Sequence, residues 1–128
     1  MAEISPRGIA APAANYAHAV LVESPTRWLH TSGVVPIAPD GSTPDDIGEQ
    51  AGVVWANISA MLLDAAMAPR HIVSVTTYVV AAHVDDLGPV MAARDHMLAG
   101  HRAASTLVTV PALARSEWKM EIAVVAAA

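Results

Sequence analysis

The sequence predicts a layered α+β or α/β domain in which helices cover one face of a sheet. Three observations lead there. Two amphipathic helical stretches alternate with short segments rich in Val, Ile, Thr and Tyr, in the order β, β, α, β, α, β, β. The length of 128 residues suits a single domain, 1–128. The apolar fraction of 54%, with no Phe, suits a packed core with apolar surface to spare, and subunit burial would use that surplus.

Each element has its own signals. Ala19–Val22 is a short apolar strand. The turn Ser24-Pro25 precedes a second strand, Arg27–Ser32, and Val34–Ile37 extends it toward the turn Pro39-Asp40-Gly41. The first helix opens with Thr43 as cap, Pro44 at the first helical position, and Asp45 and Asp46 at the positive end of the helix. Ile47, Ala51, Val54, Ile58, Met61, Leu62 and Ala65 then recur at steps of three and four, which is one helical face. Pro69 ends the run. A helix of about 25 residues spans ~37 Å and crosses a whole sheet. Gly48 and Gly52 lie on another face, where a close neighbour fits. His71–Val80 has strand composition. Asp85–Ala99 is a shorter helix, with Gly100 as its stop. Ser105–Val110 and Trp118–Val125 are the last two strands.

Composition excludes several functions. The formal charge is −5, and the seven Lys and Arg are scattered, which leaves no nucleic-acid footprint. There is no Cys, hence no disulfide, thiolate metal site or Cys nucleophile. None of the six His pairs at i, i+4, so no metal site is expected. No stretch is apolar enough for a membrane span, and no basic start leads into an apolar run, so the expected compartment is the cytoplasm. Trp28, Trp55 and Trp118 fit core or interface packing.

Local motifs add a resemblance over about Ala11–Ala126. They are Ala11-Pro12-Ala13-Ala14 with Tyr16, Thr31-Ser32-Gly33 with Pro36, Gln50 and Asn57, Val75–Val79, Arg102–Thr106, and Met120-Glu121-Ile122. In order and spacing they resemble the Rid (YjgF-type) family of reactive-intermediate deaminases. The resemblance implies an α+β, chorismate-mutase-like protomer: a mixed β-sheet with two helices on one face. It also implies a homotrimer with three inter-subunit clefts. In catalytic members an Arg grips a substrate carboxylate, and a Glu positions water for attack on an imine carbon. No metal or organic cofactor takes part.

Carried over by residue, Glu121 matches the catalytic Glu. Tyr16, Ser32, Gly33 and Leu107 match positions that line the cleft. Ser105 stands at the Arg position, facing Glu121 across the shared cleft. Val34 stands where Gln is usual, Met91 where Asn is common, and Ala123 where a second Glu is usual. A guanidinium is a planar fork for a carboxylate, whereas Ser105 offers one hydroxyl and no charge. Arg94, Arg102 and the histidines are candidate substitute cations. In a regular strand Arg102 would not share a face with Ser105. Glu121 sits among apolar residues, where it either lines the cleft or turns to water and bridges to Lys119 or Arg115. His18 and His30 share a strand face with Tyr16 and Ser32, as proton shuttles or as hydrogen-bonded structural groups. The implied reading is an imine or enamine deaminase with an altered substrate. The alternative is a trimer that binds a metabolite without turnover.

Overall fold

A computed structural model describes residues 1–128. The elements are β1 (Ala2–Ile4), β2 (Ala19–Leu21), β3 (Trp28–His30), α1 (Ile47–Asp64), β4 (Ile72–Val80), α2 (Leu87–Leu98), β5 (Ala104–Val110) and β6 (Met120–Ala127), with 3₁₀ turns at Pro69–His71 and Ala81–Asp86. Four strands form a mixed sheet in the order β3-β6-β4-β5. β4 and β5 are parallel, and β6 is antiparallel to both β3 and β4. β1 pairs with β2, and an isolated bridge from Ala17 to Ala104 docks this hairpin at the edge of β5.

The layering follows from the connections. β3 to β4 and β4 to β5 are both parallel returns, which need crossover helices. Both step the same way across the sheet, so one crossover handedness puts α1 and α2 on the same face. The core lies beneath them. Val54, Trp55, Ile58 and Leu62 of α1 meet Ile72, Val75 and Val79 of β4 and Met120, Ile122 and Val124 of β6, all essentially sealed. No helix is long and apolar enough to cross a membrane.

Several boundaries differ from the sequence expectation. β1 was not expected. α1 starts at Ile47, because Asp46 is the cap: its carboxylate accepts from the Glu49 N–H at 2.9 Å. Thr43 and Pro44 stay outside, and the Pro44 carbonyl is taken by the Gln50 side chain instead. The helix is 18 residues long, about 27 Å. It ends well before Pro69, with Met67 N–H on the Leu62 carbonyl and Ala66 N–H on that of Leu63. This C-terminal motif needs a left-handed residue, and Ala66 fills the place at φ +54°. Arg27 adds two donors to the carbonyls of Ala65 and Ala66, at 2.5 and 3.4 Å. α2 likewise starts two residues late, and left-handed Ala99 ends it ahead of Gly100. β6 starts at Met120 and runs to Ala127. Val34–Ile37 is held by a single bridge, Val34 to Ile122. The Pro39–Gly41 turn is as expected. Asp40 accepts from the Ser42 hydroxyl and N–H, which lowers its pKa below 3.8. Met61 is exposed rather than core. Of the two α1 glycines, Gly48 meets Pro89 of α2, and Gly52 faces open space.

Candidate functional site

Strand parity sets the site. Tyr78 pairs with both Glu121 and Val108, and Thr76 pairs with Ala123 and Thr106. Partners in register point to the same face, so these six residues share one side of the sheet. It is the side without helices, since their neighbours Val75, Thr77, Val79, Ile122 and Val124 are the buried ones. Val125 pairs with His30, and Ala127 with Trp28, which extends this open face onto β3. Trp28 is 52% exposed there and Val108 38%.

Glu121 is half-buried on this face. Its side chain folds back over Gly33, where a Cβ would sit 2.6 Å from Oε2 and 2.9 Å from Cδ. Only a glycine allows that approach. The protomer has two ion pairs, Arg94–Asp95 and Arg102–Glu3, and Glu121 is in neither. The expected bridging partners are engaged elsewhere: Lys119 Nζ donates to the Asp45 carbonyl, and the Arg115 guanidinium lies 5.1 Å from the Trp118 ring centre.

Two polar side chains of α1 hold the loops that carry Gly33 and Glu121. Gln50 is fully buried, yet all its groups are paired. Its amide donates to the carbonyls of Pro44 and Glu117, and its oxygen accepts from the Lys119 N–H, at 2.8 to 2.9 Å. That fixes the chain two residues before Glu121. Asn57 donates to the Ile37 carbonyl at 2.9 Å and ties down the segment after Gly33. Thr31 Oγ1 accepts from the Val124 N–H, locking the start of that segment to β6. Thr31 and Asn57 line a groove of about 740 Å³ between the 29–37 segment and α1, with His30, Ser32, Gly33 and Asp64; Glu121 lies outside this lining.

The remaining expected residues lie at the other edge. Ser105 pairs with Val75 and Leu107 with Thr77, so both point to the helix-covered side. This corrects the expectation that the Ser105 hydroxyl faces Glu121: the two side chains leave opposite faces of the sheet. Ser105 meets Arg94 of α2, whose Nη1 lies 3.5 Å from the hydroxyl. Arg94 is itself buried and donates twice to Asp95. No sequence signal pairs positions on a helix and a strand in this way. Arg102 precedes β5, so the strand-parity argument does not apply to it; it donates to the Tyr16 carbonyl at 2.5 Å. The Tyr16 and His18 rings meet edge-on at 6.0 Å, and His18 Nε2–H donates to the Ala10 carbonyl at 2.7 Å. Within one protomer, then, Ser32, Gly33 and Glu121 come together on the β3–β6 side. Tyr16, Ser105 and Leu107 gather around β5, two strands from β6 or about 10 Å across the sheet.

An α+β protomer with a mixed sheet and two helices is the fold of the YjgF/Rid proteins. The chain belongs to that family, whose model, described as endoribonuclease L-PSP, matches residues 8–128. Solved structures agree. A conserved Rid protein of unknown function from Yersinia pestis, YyfB, is 29% identical, covers 99% of this chain and 98% of its own, and superposes with a TM-score of 0.88. The yjgF gene product of E. coli is 25% identical with a TM-score of 0.72, covering 99% and 98%. TdcF of E. coli, solved with bound serine, shares the fold at 20% identity and a TM-score of 0.73, covering 100% and 99%. No protein of curated function is similar to the chain at a significant level.

Proposed function

We propose that the chain forms a homotrimer that hydrolyses an imine or enamine metabolite without a metal or organic cofactor. The observation that carries this reading is the Glu121 carboxylate, half-buried on the open face, unpaired in the protomer and seated over Gly33. A carboxylate so placed accepts a proton from water. The water oxygen adds to the C=N carbon, the nitrogen gains a proton, and the carbinolamine collapses to a carbonyl and ammonia. Ser32 and Gly33 contribute to the cleft from the same protomer as Glu121, and Tyr16 with the edge backbone of β5 at Ser105 and Leu107 from a neighbour. Two observations support self-association: the uncovered sheet face carrying Trp28 and Val108, and the division of the expected residues between two edges.

The substrate differs from a simple 2-aminoacrylate. The Arg position of the resemblance holds Ser105, whose hydroxyl turns to the helix side, and its neighbour on the open face, Ala104, carries no charge. No guanidinium stands there for a carboxylate. The missing fork also favours a second reading, a trimer that binds a metabolite without turnover.

The test is ammonia release from enzymatically generated 2-iminopropanoate and from bulkier or neutral imines, with light scattering for mass. Turnover of a neutral or bulky imine that is lost in Glu121→Gln is expected. Full activity in that variant, or a monomeric mass, overturns the proposal. Ligand-induced thermal shifts without product establish the second reading.

A further inference from the structure

A second polar cavity lies at the other end of the sheet, where β4 and β5 begin. It has a volume of about 290 Å³ and is lined by Glu3 of β1, Val20 of β2, Arg70 of the 3₁₀ turn, and His101 and Arg102 of the turn before β5. In register, Arg102 stands at the level of the start of β4, and Glu121 pairs with Tyr78 six residues further along. At ~3.3 Å per residue this is about 20 Å within the protomer. Within the protomer the cavity is therefore separate from Glu121, while its Arg102 holds the Tyr16 carbonyl.

Its charge runs against that of the whole chain. The protein has only seven Lys and Arg and a net charge of −5. Yet Arg70 and Arg102 share this one cavity with His101, and the single acid among them is Glu3. The positive field reaches His71 next door. Burial lowers its pKa below 6.5, and Arg70, Arg27 and His101 lower it further by repulsion. The guanidinium of Arg102 is not saturated. Nη2 serves both the Tyr16 carbonyl and Glu3 Oε1, at 2.5 and 3.1 Å, but Nε–H is buried with no partner. Nη1 makes no hydrogen bond within the protomer either, and a guanidinium donates readily to an anionic oxygen. His101 is fixed in orientation, since Nε2–H donates to the Ile72 carbonyl at 2.7 Å and leaves Nδ1 free.

We propose that Arg70 and Arg102 form a binding pocket for a small dianion, with His101 as its wall and Glu3 as an internal competitor that a ligand displaces. The volume suits a phosphate-bearing or dicarboxylic metabolite rather than a polymer. Glu3 is a weak competitor, because its side chain is 36% exposed and an ion pair of that kind contributes little. β1 holds it there through only three residues paired with β2, so it yields readily.

The experiment is calorimetric titration of the full chain with inorganic phosphate and, separately, with malonate, against chloride at matched ionic strength. Saturable binding of at least one is expected. Phosphate alone identifies a phosphate-bearing ligand, and malonate alone a dicarboxylate. Arg70→Gln should weaken binding about tenfold, the worth of one charge-assisted hydrogen bond. Arg102→Gln should do at least the same, and Glu3→Gln should tighten binding. No saturable binding of either anion overturns the proposal, as does affinity unchanged in Arg70→Gln and Glu3→Gln. Both of those side chains are on the surface, so the outcome does not depend on Arg102→Gln folding.

Discussion

The Glu121 carboxylate rests on Gly33, and a methyl group at that glycine would overlap Oε2 and Cδ. The contact is with the far end of a flexible side chain, so Gly33→Ala should move the carboxylate rather than disrupt the fold. We expect a melting temperature close to that of the parent. Imine hydrolysis should fall roughly a hundredfold, the usual cost of a catalytic group displaced by about 1 Å. Thermal melts and ammonia release on the same preparation check this.

Neighbouring positions on β5 should respond oppositely to arginine. Ser105→Arg drives a second guanidinium against buried Arg94 and should destabilise by about 3 kcal/mol or more. Ala104→Arg points to the open face and should be tolerated. It should also strengthen binding of carboxylate ligands by about tenfold, the worth of one charged hydrogen bond. Urea denaturation and carboxylate titration separate the two variants.

Gln50→Ala should be among the most damaging substitutions of a polar residue. It leaves the Pro44 and Glu117 carbonyls and the Lys119 N–H without partners. At ~1–3 kcal/mol for each buried unsatisfied group, a loss of about 3 kcal/mol or more is expected. Urea denaturation measures it.

Ala66→Gly should stabilise. The residue is left-handed at φ +54°, a conformation that costs an L side chain roughly 1–2 kcal/mol and glycine almost nothing. Glycine's extra freedom in the unfolded chain offsets part of the gain, which leaves an expected increase of about 0.5–1 kcal/mol. The shift in urea midpoint checks it.

Stability should fall on mild acidification because of His71. Its folded pKa lies below 6.5, through burial first and then repulsion from Arg70, Arg27 and His101. Its Nδ1 accepts the Ala68 N–H at 2.9 Å, which only the neutral ring can do. The unfolded chain therefore takes up the proton before the folded one. This contribution is intact above pH 6.5 and is lost as pH drops through the lowered folded value. Urea midpoints measured down from neutral pH should show the loss, and His71→Asn should flatten it.

Much of this architecture was legible in the sequence, because long periodic segments carry redundant information. The α1 stripe from Ile47 to Leu62 and the β4 run each offer many residues that agree. Single-residue questions were not legible. Thr43 and Asp46 are both competent caps, and the choice rests on Gln50 claiming the Pro44 carbonyl from within α1. β1 is three exposed residues with no pattern of their own. The face taken by Ser105 was misjudged because a strand alternates every residue, so an offset of one position reverses it. The link between Arg94 and Ser105 spans a helix and a strand and leaves no local trace.

The three tryptophans occupy environments of different kinds. Trp55 is sealed in the core, Trp118 is half-buried beneath the Arg115 guanidinium, and Trp28 stands half out of the open face. The chain thus carries an optical label for each level of its organisation. Emission from Trp55 reports whether a protomer has folded, and a blue shift from Trp28 would report when that face is covered. With the other two indoles replaced, either signal can be followed alone during dilution.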